Sequence, residues 1–287
     1  MSDRQIDDVT GTETTGHEWD GIRELNTPLP RWWLWTFYAT IVFAIGYTIA
    51  FPAWPLISGA TPGVLGYSSR ADLAAEVAAA KAAQGQTIAR IAGTPVADIL
   101  KDADLTRFAT SGGKSLFKIY CSQCHGTGAT GAVGYPNLND DEWIWGGSID
   151  QIYTTIAHGA RSPVDADTHF NVMPLFSDGL LDKSQIDQVA KYVASLSGIA
   201  GGEATPEGQT LFADNCAACH GATGQGMVDL GGPSLNDGIW LYDGSLDAIR
   251  AQIESPRHGV MPAWLPRLGP EAVKQLAIYV HGLGGGQ

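Results

Sequence analysis

The sequence predicts an all-α protein: one N-terminal membrane-spanning helix, then two tandem copies of a small helical module. Three observations predict it. An apolar run free of charge lies near the start of the chain, four cysteines fall into two identical patterns, and the stretches around those patterns repeat each other. At 287 residues the chain has room for two small domains, and its 44% hydrophobic and 16% charged content fits a folded protein. A formal net charge of −13 excludes nucleic acid as a partner, because phosphate binding needs the opposite sign. The acidic surplus suits either a basic protein partner or plain solubility.

Residues 1–31 are polar, rich in Asp, Glu, Gly and Thr, and show no apolar period. They are expected to form a mobile or partner-docked cytoplasmic tail. The segment Asn26-Thr27-Pro28-Leu29-Pro30-Arg31 breaks any helix before the apolar run begins.

Residues 32–56 form the expected transmembrane segment. No charged side chain occurs between Arg31 and Arg70. A helix from Trp32 to about Phe51 would span roughly 30 Å at about 1.5 Å per residue, the thickness of a bilayer core. Trp32, Trp33 and Trp35 at one end and Trp54 at the other stand where aromatic belts form, and Pro52 and Pro55 close the helix. A cleaved signal peptide would have a shorter apolar stretch nearer the start and a small-residue cleavage site. Arg23 and Arg31 flank the N-terminal side closely, while the first basic residue beyond the run is Arg70, which places the N-terminus in the cytoplasm by the positive-inside bias.

Residues 57–107 read as a helical linker on the far side of the membrane. Arg70 to Ala92 is Ala-rich, and Gly93-Thr94-Pro95 stops it.

The repeats follow, at 108–199 and 203–287, joined by a Gly-rich stretch from Gly198 to Gly202. Gly113 and Leu116-Phe117 precede Cys121 as Gly208 and Leu211-Phe212 precede Cys216. Pro136-Asn137-Leu138-Asn139-Asp140 answers Pro233-Ser234-Leu235-Asn236-Asp237, each followed by a Trp, Trp143 and Trp240. Val172-Met173-Pro174 answers Val260-Met261-Pro262, and each repeat ends in a helix bearing Tyr-Val, at Tyr192 and Tyr279.

The chemistry lies in Cys121-Ser-Gln-Cys124-His125 and Cys216-Ala-Ala-Cys219-His220. Cys-x-x-Cys-His is the attachment signature of a c-type haem. Two thiols three residues apart reach both vinyl groups of one porphyrin, and the adjacent His supplies an axial ligand. A thioredoxin-type pair would need a parallel βαβ pattern, and a zinc site would need a fourth ligand. Two covalently bound haem c groups are therefore expected, held by Cys121, Cys124, Cys216 and Cys219, with His125 and His220 on the irons, and the modules are read as cytochrome c domains. No thiol is left for a disulfide.

Met with His is the axial pairing of electron-carrying cytochromes c. Met173 and Met261 occupy equivalent positions and are the expected sixth ligands, each by default within its own repeat; exchange between repeats stays open. Met227, seven residues after His220, has no counterpart. His158 and His258 are expected to be solvated or core-packed. Arg161 and Arg257 could face haem propionates or solvent. Trp143 and Trp240 are expected to pack on haem edges.

The run Gly16-His17-Glu18-Trp19-Asp20-Gly21-Ile22-Arg23-Glu24-Leu25-Asn26-Thr27-Pro28-Leu29-Pro30-Arg31-Trp32-Trp33 resembles the N-terminal signature of the dihaem subunit III (CcoP/FixP) of bacterial cbb3-type cytochrome c oxidases. The resemblance continues through the anchor and both haem units. It implies a subunit of the respiratory chain that accepts electrons from a soluble or membrane cytochrome c donor and passes them to the monohaem subunit. From there they reach the catalytic subunit, where oxygen is reduced and protons are pumped. It also implies an inner-membrane protein with periplasmic haem domains, no catalytic residue of its own, and the lipid bilayer and the other oxidase subunits as partners. Some members of that family carry an additional transmembrane helix before this one. A free-standing membrane-anchored shuttle would use the same haem chemistry. A dihaem peroxidase would need an open iron position near acid–base residues, against which two equivalent Met-Pro loops argue.

Overall fold

The computed structural model describes residues 5–286. The first four residues of the expected tail and residue 287 of the second repeat lie outside the described residues. The chain divides into two compact units, residues 5–82 and 83–286.

In the first unit, the tail carries a hairpin that its composition did not lead one to expect. Strands β1 (Thr14–Trp19) and β2 (Ile22–Leu25) pair antiparallel, with Trp19 opposite Ile22 and Glu18 opposite Arg23. Asp20 and Gly21 link them with φ of 51° and 85°. Two positive φ values in a two-residue loop make the tight hairpin turn whose twist matches that of the strands, and Asp-Gly suits it best. That dipeptide was the signal in the sequence. Arg23 Nε donates to Glu18 Oε2 at 2.7 Å across the strands.

Helix α1 runs from Arg31 to Ala50, close to the expected span. None of its side chains is buried in the protein, and its 20 residues are apolar on every face. A helix apolar all round has lipid as its natural surroundings. Its threonine hydroxyls return to their own helix: Thr36 donates to Trp32 O, Thr40 to Phe37 O and Thr48 to Ile45 O, which spares these three donors an unsatisfied place in the hydrocarbon. The chain then folds back through a short hairpin of β3 (Pro55–Leu56) and β4 (Gly59–Ala60). Val64 N and Leu65 N donate to Ile49 O and Ala50 O, satisfying carbonyls that the last helical turn leaves open. At Gly63 (φ +69°) a Cβ would lie 2.4 Å from Ala50 O, so only glycine allows this return.

Helix α2 (Ser69–Gly93) matches the Ala-rich linker and ends at Pro95. The second unit is helical throughout. α3 (Val96–Ile99) and α4 (Ala103–Tyr120) lead to α5 (Ser122–His125), which carries the first motif. α6 (Ile149–His158) and α7 (Lys183–Leu196) complete the first repeat. α8 (Pro206–Asn215) leads to α9 (Ala217–His220) with the second motif, followed by a 3₁₀ turn, Val228–Leu230. α10 (Leu246–Glu254), α11 (Leu265–Leu268) and α12 (Pro270–His281) end the chain. Ser148 and Asp182 close capping boxes with Gln151 and Gln185 at the starts of α6 and α7.

The helices do not pack repeat by repeat. α12, from the second repeat, packs on α4 and α6 of the first; α7, from the first, packs on α8 and α10 of the second. The ring contacts repeat the crossing. Phe117 meets Tyr279 at 5.4 Å and Phe212 meets Tyr192 at 5.3 Å. One core joins Phe117, Ile152 and Ile156 to Val273, Leu276 and Val280; the other joins Val189, Ala190 and Val193 to Phe212, Ile249 and Ile253. The first core also buries Ile91, Val96, Ile99 and Leu105, so it draws in the end of the expected linker.

Candidate haem sites

Each motif sits on a one-turn helix at the end of a longer one, α5 after α4 and α9 after α8. Cys121 N and Cys216 N donate to Phe117 O and Phe212 O, so the buried Phe of each repeat fixes where the first thiol stands. None of the four cysteines is in a disulfide. Burial, with the neighbouring thiol adding to it, pushes Cys121 and Cys216 up to about 11. They are neutral thiols, unlike the low-pKa thiolates of redox motifs.

The histidines are held alike. His125 Nδ1 donates to Pro136 O at 3.0 Å, and His220 Nδ1 donates to Pro233 O at 2.9 Å. A carbonyl only accepts, so each proton is fixed on Nδ1 and Nε2 keeps its lone pair for a metal. Burial lowers both pKa values and keeps the rings neutral, as ligation needs. The repeated Pro-x-Leu-Asn-Asp motif thus supplies the carbonyl that orients the ring, a role sequence reasoning missed although the repeat itself marked it.

A cleft opens above His220, with an empty volume of about 1380 Å³ including the open solvent at its mouth. Cys216, Cys219, His220, Phe176, Val193, Leu235, Trp240 and Ile253 line it, and so does Met173 of the first repeat. Two thiols and a free imidazole nitrogen at the base, apolar walls, and a thioether in the lining fit a covalently held porphyrin. At the first motif, Met261 of the second repeat packs on the core that also takes Cys121, Leu138 and Trp143. Met173 thus stands beside the second motif, and Met261 packs on the core of the first. Ala160 and Met261 exchange two backbone hydrogen bonds of 3.0 and 2.9 Å, which bring the segment bearing Met261 alongside the end of α6.

The other singled-out residues fall as follows. His158 pairs with Asp165 at 3.1 Å. His258 and Arg257 line the cleft of the second site, and Arg257 also stacks on Tyr242 at 4.2 Å. Arg161 lines the same cleft. Met227 is partly exposed and pairs with Gly232 through backbone alone. Trp143 and Trp240 press on Gly147 and Gly244, where a Cβ would lie 2.6 and 2.7 Å from the indoles, and Trp143 Nε1 donates to Gly285 O. At the seam between the repeats, Glu142 accepts from Ser234 N at 3.1 Å. Burial, with Asp237 and Asp140 nearby, pushes its carboxyl up.

The model of the N-terminal domain of cytochrome oxidase-cbb3, FixP, matches residues 11–58. The cytochrome c model matches 111–197, and that of cytochrome c oxidase, cbb3-type, subunit III matches 203–280. The FixP subunit of the cbb3-type cytochrome c oxidase of Sinorhizobium medicae is 54% identical over 99% of this chain and 98% of its own length. The chain belongs to the FixP/CcoP family. The FixPc subunit of Rhizobium leguminosarum bv. viciae is likewise 54% identical over the full length of both chains. The CcoP subunit of Cereibacter sphaeroides is 50% identical over 96% of this chain and 95% of its own. As a FixP/CcoP protein with cytochrome c domains, the chain carries covalently bound haem c and serves electron transport, and α1 is its membrane anchor. The family membership agrees with what the sequence resemblance implied.

Proposed function

We propose that this chain is the dihaem entry point of a cbb3-type oxidase. It takes electrons from a donor cytochrome c and passes them to the monohaem subunit, while oxygen reduction and proton pumping belong to the catalytic subunit. In this reading Cys121 and Cys124 hold one haem c, and Cys216 and Cys219 the other. His125 and Met261 would hold the iron of the first, and His220 and Met173 that of the second. Bound haem supplies one-electron chemistry at iron.

The observation that carries the reading is the repeated motif with its histidine anchored through Nδ1, beside which Met173 lines the second cleft and Met261 packs on the core of the first. The residues around them do the rest. Pro136 O and Pro233 O hold the imidazoles in one tautomer, so iron can change valence without a proton moving at the ligand. Apolar walls such as Phe176, Val193 and Ile253 exclude water from the second site and favour the less charged ferrous state. With a His and a Met at each site, these residues would leave oxygen no place on the iron and suit electron transfer. The acidic surplus suits a basic donor, and an N-terminus in the cytoplasm, which Arg23 and Arg31 beside α1 favour, would leave both haems on the donor's side of the membrane.

The test is purification of the native membrane complex containing this chain. Co-purifying catalytic and monohaem subunits, a covalent haem count of two on this polypeptide, and reduction by a donor cytochrome c ahead of the monohaem subunit are expected. A preparation active with donor cytochrome c but lacking this chain would overturn it. For the ligands, a Cys124→Ala background leaves the first haem on one thioether and shifts its reduced α band. Met261→His should then change the ligand spectrum of the shifted haem, and Met173→His that of the other.

A further inference from the structure

The two methionine loops converge on one side chain. Arg161 follows α6 with φ of +55°, a left-handed conformation uncommon outside glycine. Its backbone N–H donates to His169 O at 2.7 Å. Its neighbours lace it to the second repeat: Ala160 exchanges two hydrogen bonds with Met261, and Ser162 Oγ accepts from Ala263 N at 3.3 Å. From this fixed base, Arg161 Nε donates to Gly259 O at 2.6 Å and Nη1 donates to Asn171 O at 3.2 Å. Gly259 stands two residues before Met261 and Asn171 two residues before Met173. Asn171 in turn donates through Nδ2 to Leu230 O at 2.6 Å, tying the Met173 loop to the second motif's own repeat. The guanidinium is half-buried, burial lowers its pKa, and no carboxylate among the described residues stands within ion-pair distance of it. A cation held away from water with only carbonyls as partners costs desolvation energy that a salt bridge would offset. A planar fork reaching two loops at once explains the choice of arginine over lysine.

We propose that Arg161 is a positioning residue shared by both haem sites, its guanidinium holding the Met173 and Met261 loops in one geometry so that thioether ligation of the two irons is coupled. This rests on the reading of Met173 and Met261 as axial ligands. Loosening one fork should loosen both irons together, although Arg161 belongs to the first repeat and lies outside both Cys-x-x-Cys-His motifs.

The experiment uses the full chain, matured with haem in the membrane, as wild type, Arg161→Lys and Arg161→Gln, with Met173→His and Met261→His as references. The readouts are covalent haem content, the near-infrared ferric band of the thioether–iron bond, and the imidazole concentration that displaces methionine at each haem. Arg161→Lys keeps the charge but not the fork, so it carries the test even if Arg161→Gln yields no haem-loaded protein. Expected is imidazole displacement at about ten-fold lower concentration at both haems in Arg161→Lys, the size of effect of losing one charged hydrogen bond per loop. A change at one haem only, or wild-type behaviour in Arg161→Lys, overturns the coupling. Should Met173→His and Met261→His each leave the thioether band intact, the ligand assignment itself falls, whatever Arg161 does.

Discussion

Gly113 shows how little room the crossing of α4 over α12 leaves. A Cβ there would lie 2.1 Å from Gln275 O and 2.7 Å from the Tyr279 Cβ. At its counterpart Gly208, a Cβ would lie 2.7 Å from Gln188 O and 3.0 Å from the Tyr192 Cβ. Backbone cannot move aside as a flexible side chain can, so overpacking here carries the usual cost of about 1–3 kcal/mol or more. Gly113→Ala should lower the melting temperature of the haem-loaded protein more than Gly208→Ala does, as read by circular dichroism. Equal melting of both variants and wild type would contradict the close approach. The sequence marked both glycines through the repeat, and the haem-binding residues were legible because Cys, Cys and His are neighbours along the chain. Their chemistry needs no knowledge of the fold. Arg161 was legible only as an arginine near a loop, since its two carbonyl partners are backbone atoms that no residue type announces.

Helices α7 and α10 are tied by Arg250, whose Nε and Nη2 lie 3.0 and 2.6 Å from Asp187 Oδ1. Lys191 reaches the other carboxylate oxygen at 2.9 Å. Hydrogen bonds from Lys191 and Arg250 hold the Asp187 carboxyl below its usual range. Because the folded pKa is depressed, this contribution is present above the unfolded value of about 3.9 and is lost as pH falls through the folded one. The groups are partly exposed, so the pair contributes about 0.2–1 kcal/mol. Asp187→Asn should therefore lower stability slightly at pH 7 and make no difference in strong acid, as denaturant titrations at the two pH values would show. Asp182, whose side chain accepts from Gln185 N at 2.9 Å, caps the same helix. Asp182→Ala should cost about 1 kcal/mol, and Asn should restore most of it, in the same titrations. At this scale the sequence was legible wherever one element decides its own shape: α1 and the break at Gly93-Thr94-Pro95. The N-terminal hairpin was marked by Asp20-Gly21 alone, a turn with no alternating apolar pattern around it.

Across the haem-bearing unit, each core is finished by a helix from the other repeat. This could not be read from the sequence, because α7 and α12 present equivalent Tyr-Val faces and α4 and α8 equivalent Gly and Phe faces. Either pairing satisfies the same hydrophobic pattern, and only the path of the connecting loops chooses. A chain ending at residue 200 would lack α12 and Met261 and leave Phe117, Ile152 and Ile156 without their cover. Such a truncation should fail to give a low-spin, methionine-ligated first haem, measured by the same near-infrared band and by haem content. Two self-contained modules would predict a normal one. Denaturation of the intact protein should likewise show both haem bands changing in a single transition.

The crossing of α12 back onto α4 also orders events at the protein's birth. Cys121 and Cys124 are made about 150 residues before the helix that completes the core beside them. A polypeptide cut short after α10 would keep the helices and the methionine of the second centre and leave the first without α12 and Met261.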